Sequence, residues 1–418
     1  MPIPRREFLG LLACAHPAIG NLENTVEMKS TSAMPAPPLA IPESEEPISR
    51  AASRGDPWVS VNKAHLLWNL QQIQARVGRR RVMAVVKGNG YGHGLAGVAR
   101  ALAAAGVEDF LVGNLQEARE LRAGGIRGQV LNFGPFGDDD AEEIIRLGIT
   151  QNLYTGQAKS LDRTARRLGK KARVQIKLDT GLGRFGVAHG RAMDFLGSIA
   201  GYGGLTLEGV FTTLTEDPEF DRMQLERFTA ICAQAEQRGR RIGQRHAASS
   251  AAILGLPESY AQLDLVRPGI LLYGLYPSPA AEENKQIELR PALSLACRIA
   301  QVKELRPGES VGYHRVFTAA ESERVATIAT GYSDGYPKAL AGRGSVLVGG
   351  RRCPVLTISA NAVIVRLLDA PAQPGDDAVL IGAQGGGSIG AAEIARLCGT
   401  SVYDVVIGLS ARLPRHNV

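Results

Sequence analysis

Val82-Met83-Ala84-Val85-Val86-Lys87-Gly88-Asn89-Gly90-Tyr91-Gly92-His93-Gly94 runs an apolar stretch directly into a lysine and a loop in which every second residue is glycine. An uninterrupted apolar run bounded by glycine reads as a strand buried on both faces, as in a parallel sheet. An amphipathic helical pattern, Leu95–Ala105, follows, so strand, glycine loop and helix form one β-α unit. A lysine where a buried strand meets a turn is partly desolvated, which lowers its pKa toward the neutral, nucleophilic amine. The plainer alternative is a solvated turn residue. The GxxxxGK[ST] order is absent and Lys87 precedes the glycines, which argues against a nucleotide-phosphate loop.

Outward from this unit the same alternation recurs. Strand candidates are Val82–Val86, Phe110–Gly113, Val130–Phe133, Asn152–Tyr154, Arg173–Leu178, Leu205–Phe211, Gly243–His246 and Asp264–Val266, eight in all. Helical patterns lie between them, among them Glu117–Ala123 and Arg222–Arg238. This predicts an α/β fold, a (β/α)8 TIM-like barrel over 58–288. Lys87, Arg184, His246 and Arg267 then fall at or beyond strand ends, the barrel face that carries chemistry. From 289 to 418 the pattern changes to β-branched runs broken by Gly and Pro: Leu293–Leu305, Val325–Thr330, Ser345–Val348, Val355–Ile358, Val363–Leu367 and Val379–Ile381. A second, mostly β C-terminal domain is predicted there.

The remaining features set limits. With 418 residues and 44% apolar composition, the chain can bury a large core. Its net charge of +7 is scattered, with no long basic tract, so no nucleic-acid partner is expected. The segment 388–406 reads locally like a helix-turn-helix, but strand patterns precede it and a helix packed on the β domain is preferred. No segment is long and apolar enough to span a bilayer, so no stable membrane insertion is expected. Arg5-Arg6 followed by Phe8-Leu9-Gly10-Leu11-Leu12-Ala13 resembles a twin-arginine export signal over 1–20, with periplasmic location as the expectation and a cytoplasmic one as the alternative. Cys14 completes a weak lipobox pattern, and 21–57 reads as a disordered Pro-rich linker. Cys232, Cys297, Cys353 and Cys398 have no CxxC spacing, so no metal site is predicted and no disulfide is assigned.

Several motifs match one family in order: Ala84 to Gly94; Lys177-Leu178-Asp179-Thr180-Gly181-Leu182-Gly183-Arg184-Phe185-Gly186; His246-Ala247-Ala248-Ser249-Ser250; Arg267-Pro268-Gly269-Ile270; Val311-Gly312-Tyr313; and Gly331-Tyr332-Ser333-Asp334-Gly335-Tyr336-Pro337. From about Trp58 to Arg415 the chain resembles the fold-type III, pyridoxal 5'-phosphate-dependent alanine racemases and their exported broad-specificity relatives. The resemblance implies an isomerase acting on a small amino acid, with that cofactor. It makes Lys87 the residue that condenses with the cofactor's aldehyde. Tyr91, Ser250, Gly269, Ile270 and Tyr403 match the phosphate positions, His246 joins the cofactor-binding set, and Arg267 faces the pyridine nitrogen. An arginine donates there without surrendering its proton, leaving the ring a weaker electron sink, which suits racemisation over transamination.

Inversion needs one acid–base group on each face of Cα. Lys87 and Tyr313 match that pair, and the resemblance takes Tyr313 from the partner of a homodimer with shared active sites. Arg184 and Ala360 match substrate-binding positions, and Lys177 matches a lysine often carbamylated in the family, which would replace a Lys–Arg repulsion by an ion pair. Without the resemblance, Ser250 reads as a helix N-cap, Arg267 as a salt-bridge partner of Asp264, Tyr313 as a packed aromatic, and Lys177 as a cation neutralised by Asp179. Three departures stand out. Thr213 occupies the place of a family histidine that links the tyrosine toward the ring arginine, so His246 is expected to do more of that work. Ser249 replaces an asparagine, and Ser359-Ala360-Asn361 replaces Cys-Met-Asp, which widens the pocket and removes a carboxylate. A related barrel decarboxylase and a non-catalytic cofactor-binding protein are the alternative readings.

Overall fold

In the computed structural model the described residues are 56–418; the expected export signal, Cys14 and the linker up to residue 55 lie outside them. Eight parallel strands follow one another in the order Leu265–Val266, Arg81–Val85, Asp109–Val112, Gln129–Asn132, Thr150–Leu153, Ala172–Asp179, Leu205–Phe211 and Gln244–His246. The two ends of this sheet meet through backbone hydrogen bonds from Asp264 N to Arg245 O and from Arg267 N to Ala248 O, each 2.9 Å. The expected barrel is therefore nearly closed, with every strand within two residues of its sequence-derived bounds.

Helices cover the outside as the patterns require, at Leu95–Ala104, Leu115–Ala123 and Pro218–Gln237. Helix Lys63–Val77 shows why they form there. Asn62 accepts from His65 N at 3.0 Å and caps the first turn, and Leu66, Leu70, Ile73 and Val77 recur at helical spacing on its buried face. The barrel interior holds hydrogen-bonded polar side chains among the apolar ones: Asn132 donates to Gln151 at 2.8 Å, and Gln151 donates to the Gly134 carbonyl at 2.9 Å. These two side chains are thus partnered, which keeps their burial from being costly, whereas Gln129 Oε1 and Asn152 Oδ1 on the same sheet have no partner.

The second domain is mostly antiparallel β. Leu293–Leu305 pairs with Glu323–Ile328 and Asp377–Gln384, and the pairings through Val363–Arg366, Arg351–Ile358 and Ser345–Val348 return to Asp377–Gln384. One boundary differs from expectation. Trp58–Val61, placed at the start of the barrel by the 58–288 division, pairs antiparallel with Leu293–Ala296 and parallel with Arg415–Asn417. All four of its residues are buried, and a run with no polar alternation reveals nothing about which sheet it will join.

The helix-turn-helix pattern folds as Ala391–Cys398 and Val402–Ile407, with Gly399 at φ +64° between them. The second helix covers the lysine loop. A Cβ at Gly92 would fall 1.9 Å from the Val406 carbonyl, so only glycine permits this approach. The helix is indeed a packed one, but it packs against a barrel loop as well as its own domain, and this brings Tyr403 to the barrel mouth.

Candidate active site

Gly88, Asn89, Gly90, Tyr91 and Gly92 all have positive φ, between +51° and +81°, so the chain makes a left-handed turn directly after Lys87. Glycine takes this region freely and asparagine tolerates it; Tyr91, at φ +51°, is held there by its surroundings. The Asn89 side chain accepts from Leu95 N at 2.9 Å, and its backbone N–H donates to Glu117 at 3.1 Å. The other Glu117 oxygen accepts from Gly113 N at 2.8 Å. The turn is thus tied to the start of one helix and to the end of the neighbouring strand. Nothing in the sequence pattern marked Glu117 or Asn89 for this task.

Lys87, Tyr91, Arg184, Ser250, Arg267, Gly269, Ile270 and Tyr403 line one cavity of about 360 Å3 at the C-terminal end of the barrel strands. Burial lowers the Lys87 amine from its ordinary value; the Arg184 cation pushes the same way, against Glu117. Tyr91 stacks on Tyr273 with ring centroids 5.0 Å apart and leans on Tyr403 at 6.1 Å. Its hydroxyl faces Gly269, where a Cβ would fall 2.5 Å away. Ser250 accepts from Gly269 N at 2.9 Å, so its hydroxyl hydrogen is free for another acceptor. Its reading as a plain N-cap is incomplete, since Ser249 precedes the helix Ser250–Gly255 as its cap residue.

Arg267 is buried and lines the same cavity as Lys87. It donates to His246 Nδ1 at 2.7 Å, to the Thr212 carbonyl at 2.6 Å and to the Ala247 carbonyl at 3.0 Å. Burial lowers it to about 9, which leaves the guanidinium protonated at neutral pH. Asp264 does not pair with it; Asp264 binds Arg245 instead, accepting from the Arg245 backbone N at 2.6 Å.

His246 corrects its expected role. It does not line the cavity; it stacks on Phe211 at 4.9 Å and braces Arg267, its Nε2 meeting Gln175 Oε1 at 2.9 Å. Burial, then the Arg267 charge, hold it well below the usual histidine value. A neutral imidazole accepting from a guanidinium positions that group and cannot take over proton traffic for the missing histidine at Thr213.

Lys177 is fully buried, donates to the Phe185 carbonyl at 2.7 Å, and is lowered to about 8 by burial and by the Arg267 and Arg184 charges. Asp179 does not neutralise it in an ion pair; Asp179 accepts from Gly181 N and Gly183 N and shapes the loop carrying Arg184. Lys177 and Arg184 instead share the Phe133 ring, 5.7 and 5.9 Å from its centroid.

Two expected residues stand apart. Tyr313 is 80% exposed, in a short turn whose neighbours His314 and Arg315 have φ +60° and +54°, so the packed-aromatic alternative fails. Ala360 is exposed as well, and its carbonyl accepts from Ser333 N at 2.9 Å. Neither lines the cavity of its own chain.

The family models for the alanine racemase N-terminal domain and C-terminal domain match residues 61–277 and 292–417. The chain belongs to the alanine racemase family. The Symbiobacterium thermophilum alanine racemase is 39% identical over 86% of this chain and 96% of its own, and the Desulforamulus reducens alanine racemase is 35% identical over 86% and 98%. The solved alanine racemase of the D-cycloserine producer Streptomyces lavendulae has a TM-score of 0.82 at 32% identity, covering 88% of this chain and 98% of that one. That of Clostridium difficile 630 has a TM-score of 0.81 at 30% identity, covering 87% and 95%.

The family depends on pyridoxal phosphate, and the residues present fit it. Tyr91, Ser250, the Gly269–Ile270 backbone and Tyr403 make a cradle with hydroxyl and amide donors suited to a phosphate. Lys87 supplies a depressed amine, and Arg267 a braced cationic donor. Among the described residues no cluster of His, Cys, Asp and Glu is arranged to hold a metal ion. Among the lining residues that were not foreseen is Glu216, at φ +70°. Its signal, an acid in the loop after the Leu205–Phe211 strand, was hidden among other acids.

Proposed function

We propose that this chain is a pyridoxal-phosphate-dependent alanine racemase whose active sites are shared between two copies. The observation that carries the reading is Lys87 with a depressed amine in the same cavity as a hydroxyl- and amide-lined cradle and a braced arginine. Bound there, pyridoxal phosphate would supply an aldehyde for the substrate amine and an electron sink for Cα. The chain's own residues do the rest. Tyr91, Ser250, Gly269, Ile270 and Tyr403 would hold the phosphate, Arg267 would donate to the ring nitrogen while keeping its proton, and Arg184 would bind the substrate carboxylate. Lys87 Nζ moves a proton on one face of Cα.

The opposite face needs a second group, and Tyr313 supplies it from the other copy. Its 80% exposure in one chain supports this assignment, since a catalytic tyrosine has no reason to stand in solvent unless another surface covers it. Ala360, exposed in the same domain, reaches the other copy's substrate mouth, where its small size and the neutral Asn361 admit amino acids larger than alanine. The Arg5-Arg6 segment supports export of the folded protein to the periplasm.

The test is loss of optical rotation from L-alanine and L-serine by the purified holoenzyme. Lys87→Ala and Tyr313→Ala each abolish it, and mixing the two variants restores activity that neither has alone, because one site in the mixed dimer is intact. No complementation would overturn the shared site; carbon dioxide release in place of racemisation would overturn the reaction.

A further inference from the structure

Among the residues lining the cavity, Arg184 and Arg267 are cations, Lys87 has a depressed amine, and Glu216 is the single acid. We infer that Glu216 selects the substrate by its side chain, favouring amino acids that end in a cation, such as lysine, ornithine or arginine. This rests on the racemase reading.

Glu216 is held in place deliberately. Its backbone is left-handed at φ +70°, a region non-glycine residues rarely enter unless their surroundings impose it. The imposing group is Asp221, whose Oδ1 accepts from Thr215 N at 2.7 Å, from the Thr215 hydroxyl at 2.8 Å and from Glu216 N at 3.1 Å. Gln224 also accepts from Thr215 N, at 3.0 Å. The loop is fixed, and Glu216, exposed while lining the cavity and with the Asp221 carboxylate beside it, makes no ion pair with any described residue. The hydroxyls that sense its charge are those of Tyr91 and Tyr403, in the phosphate cradle.

An unpaired carboxylate beside an anion-binding cradle opposes the anion, and a cation that arrives with the substrate would offset that opposition. On the racemase reading the substrate's α-amino group would be taken up by the cofactor and its carboxylate by Arg184. Only the side chain remains to bring positive charge to Glu216.

The test compares holoenzyme carrying Glu216→Gln, which keeps the bulk, Glu216→Gly, which relaxes the backbone, and Glu216→Asp, which keeps the charge. The readout is the ratio of kcat/KM for L-lysine to that for L-alanine, with uncharged norleucine as control. The ratio is expected to fall at least about tenfold in the Gln and Gly variants, through a raised KM for lysine, and to stay within about threefold in the Asp variant, with no matching fall for norleucine. A wild type that racemises alanine but not lysine, or a ratio unmoved by loss of the charge, would overturn the inference alone. Failure to racemise alanine at all would overturn the racemase reading and this inference with it.

Discussion

Adding one methyl group at Gly269 should disable the phosphate cradle while leaving the fold in place. The new Cβ would lie 2.5 Å from the Tyr91 hydroxyl and 3.0 Å from its Cζ, too close for either atom to stay. Gly269 has φ −113°, outside the left-handed region, so crowding decides the outcome. Tyr91 has little room to yield: its backbone is in a left-handed turn and its ring is stacked on Tyr273 at 5.0 Å. Overpacking of this kind costs about 1–3 kcal/mol. A displaced hydroxyl loses a hydrogen bond to a charged phosphate worth about 1.5–3 kcal/mol, or roughly 10- to 150-fold in affinity. Titration of Gly269→Ala with pyridoxal phosphate, followed by visible absorbance, should show that weakening. Tyr91→Phe removes the nearer clashing atom, so the alanine should cost less in that background, with a coupling of about 1 kcal/mol. Strictly additive effects, or unchanged cofactor affinity in Gly269→Ala, would refute the reasoning.

Further outcomes are expected. His93 is held at about 4, mainly by burial and against its hydrogen bond with the Tyr91 carbonyl. The folded protein therefore refuses a proton that the unfolded chain accepts below pH 6.5. Stability is fully present above that pH and falls toward pH 4 by about 1.4 kcal/mol per unit, and His93→Gln should flatten this slope in urea denaturation at pH 7, 6 and 5. Replacing His246 with Ala strands a buried Arg267 donor and should cost about 1–3 kcal/mol in the same assay, with His246→Gln recovering part of it. Lys177, near 8, offers the neutral amine that adds carbon dioxide, so intact-mass spectra in bicarbonate should carry one such adduct that Lys177→Ala lacks. Asp221→Ala removes three hydrogen bonds from Thr215 and Glu216. A loss of about 1–3 kcal/mol and faster proteolysis near residue 216 are expected, and an unchanged denaturation midpoint would count against the clamp.

The barrel was legible in the chain because most of its strands are short apolar runs closed by glycine or polar residues and alternate with helical patterns, although Thr150–Leu153 and Gln244–His246 are largely polar. Lys87 was legible for the same reason, since the lysine, its strand and its glycines are contiguous. The resemblance assigned Arg267, Ser250 and Tyr403, although no spacing rule joins residues so far apart. The role of His246 was misjudged: a histidine at a strand end can face the cavity or lie behind it, and only the stacking on Phe211 and the bond from Arg267 decide between them.

The sequence by itself determined the order of elements, the position of Lys87 at a strand end and the chemistry of the side chains, because these depend on neighbours along the chain. The tertiary structure decided that Trp58–Val61 joins the second domain, that the helix at 402–407 closes over the lysine loop, that Tyr313 stands outside its own cavity and that Glu216 faces into it. Those outcomes depend on which surfaces meet after the backbone has closed on itself, and two segments far apart in sequence carry no local record of their meeting.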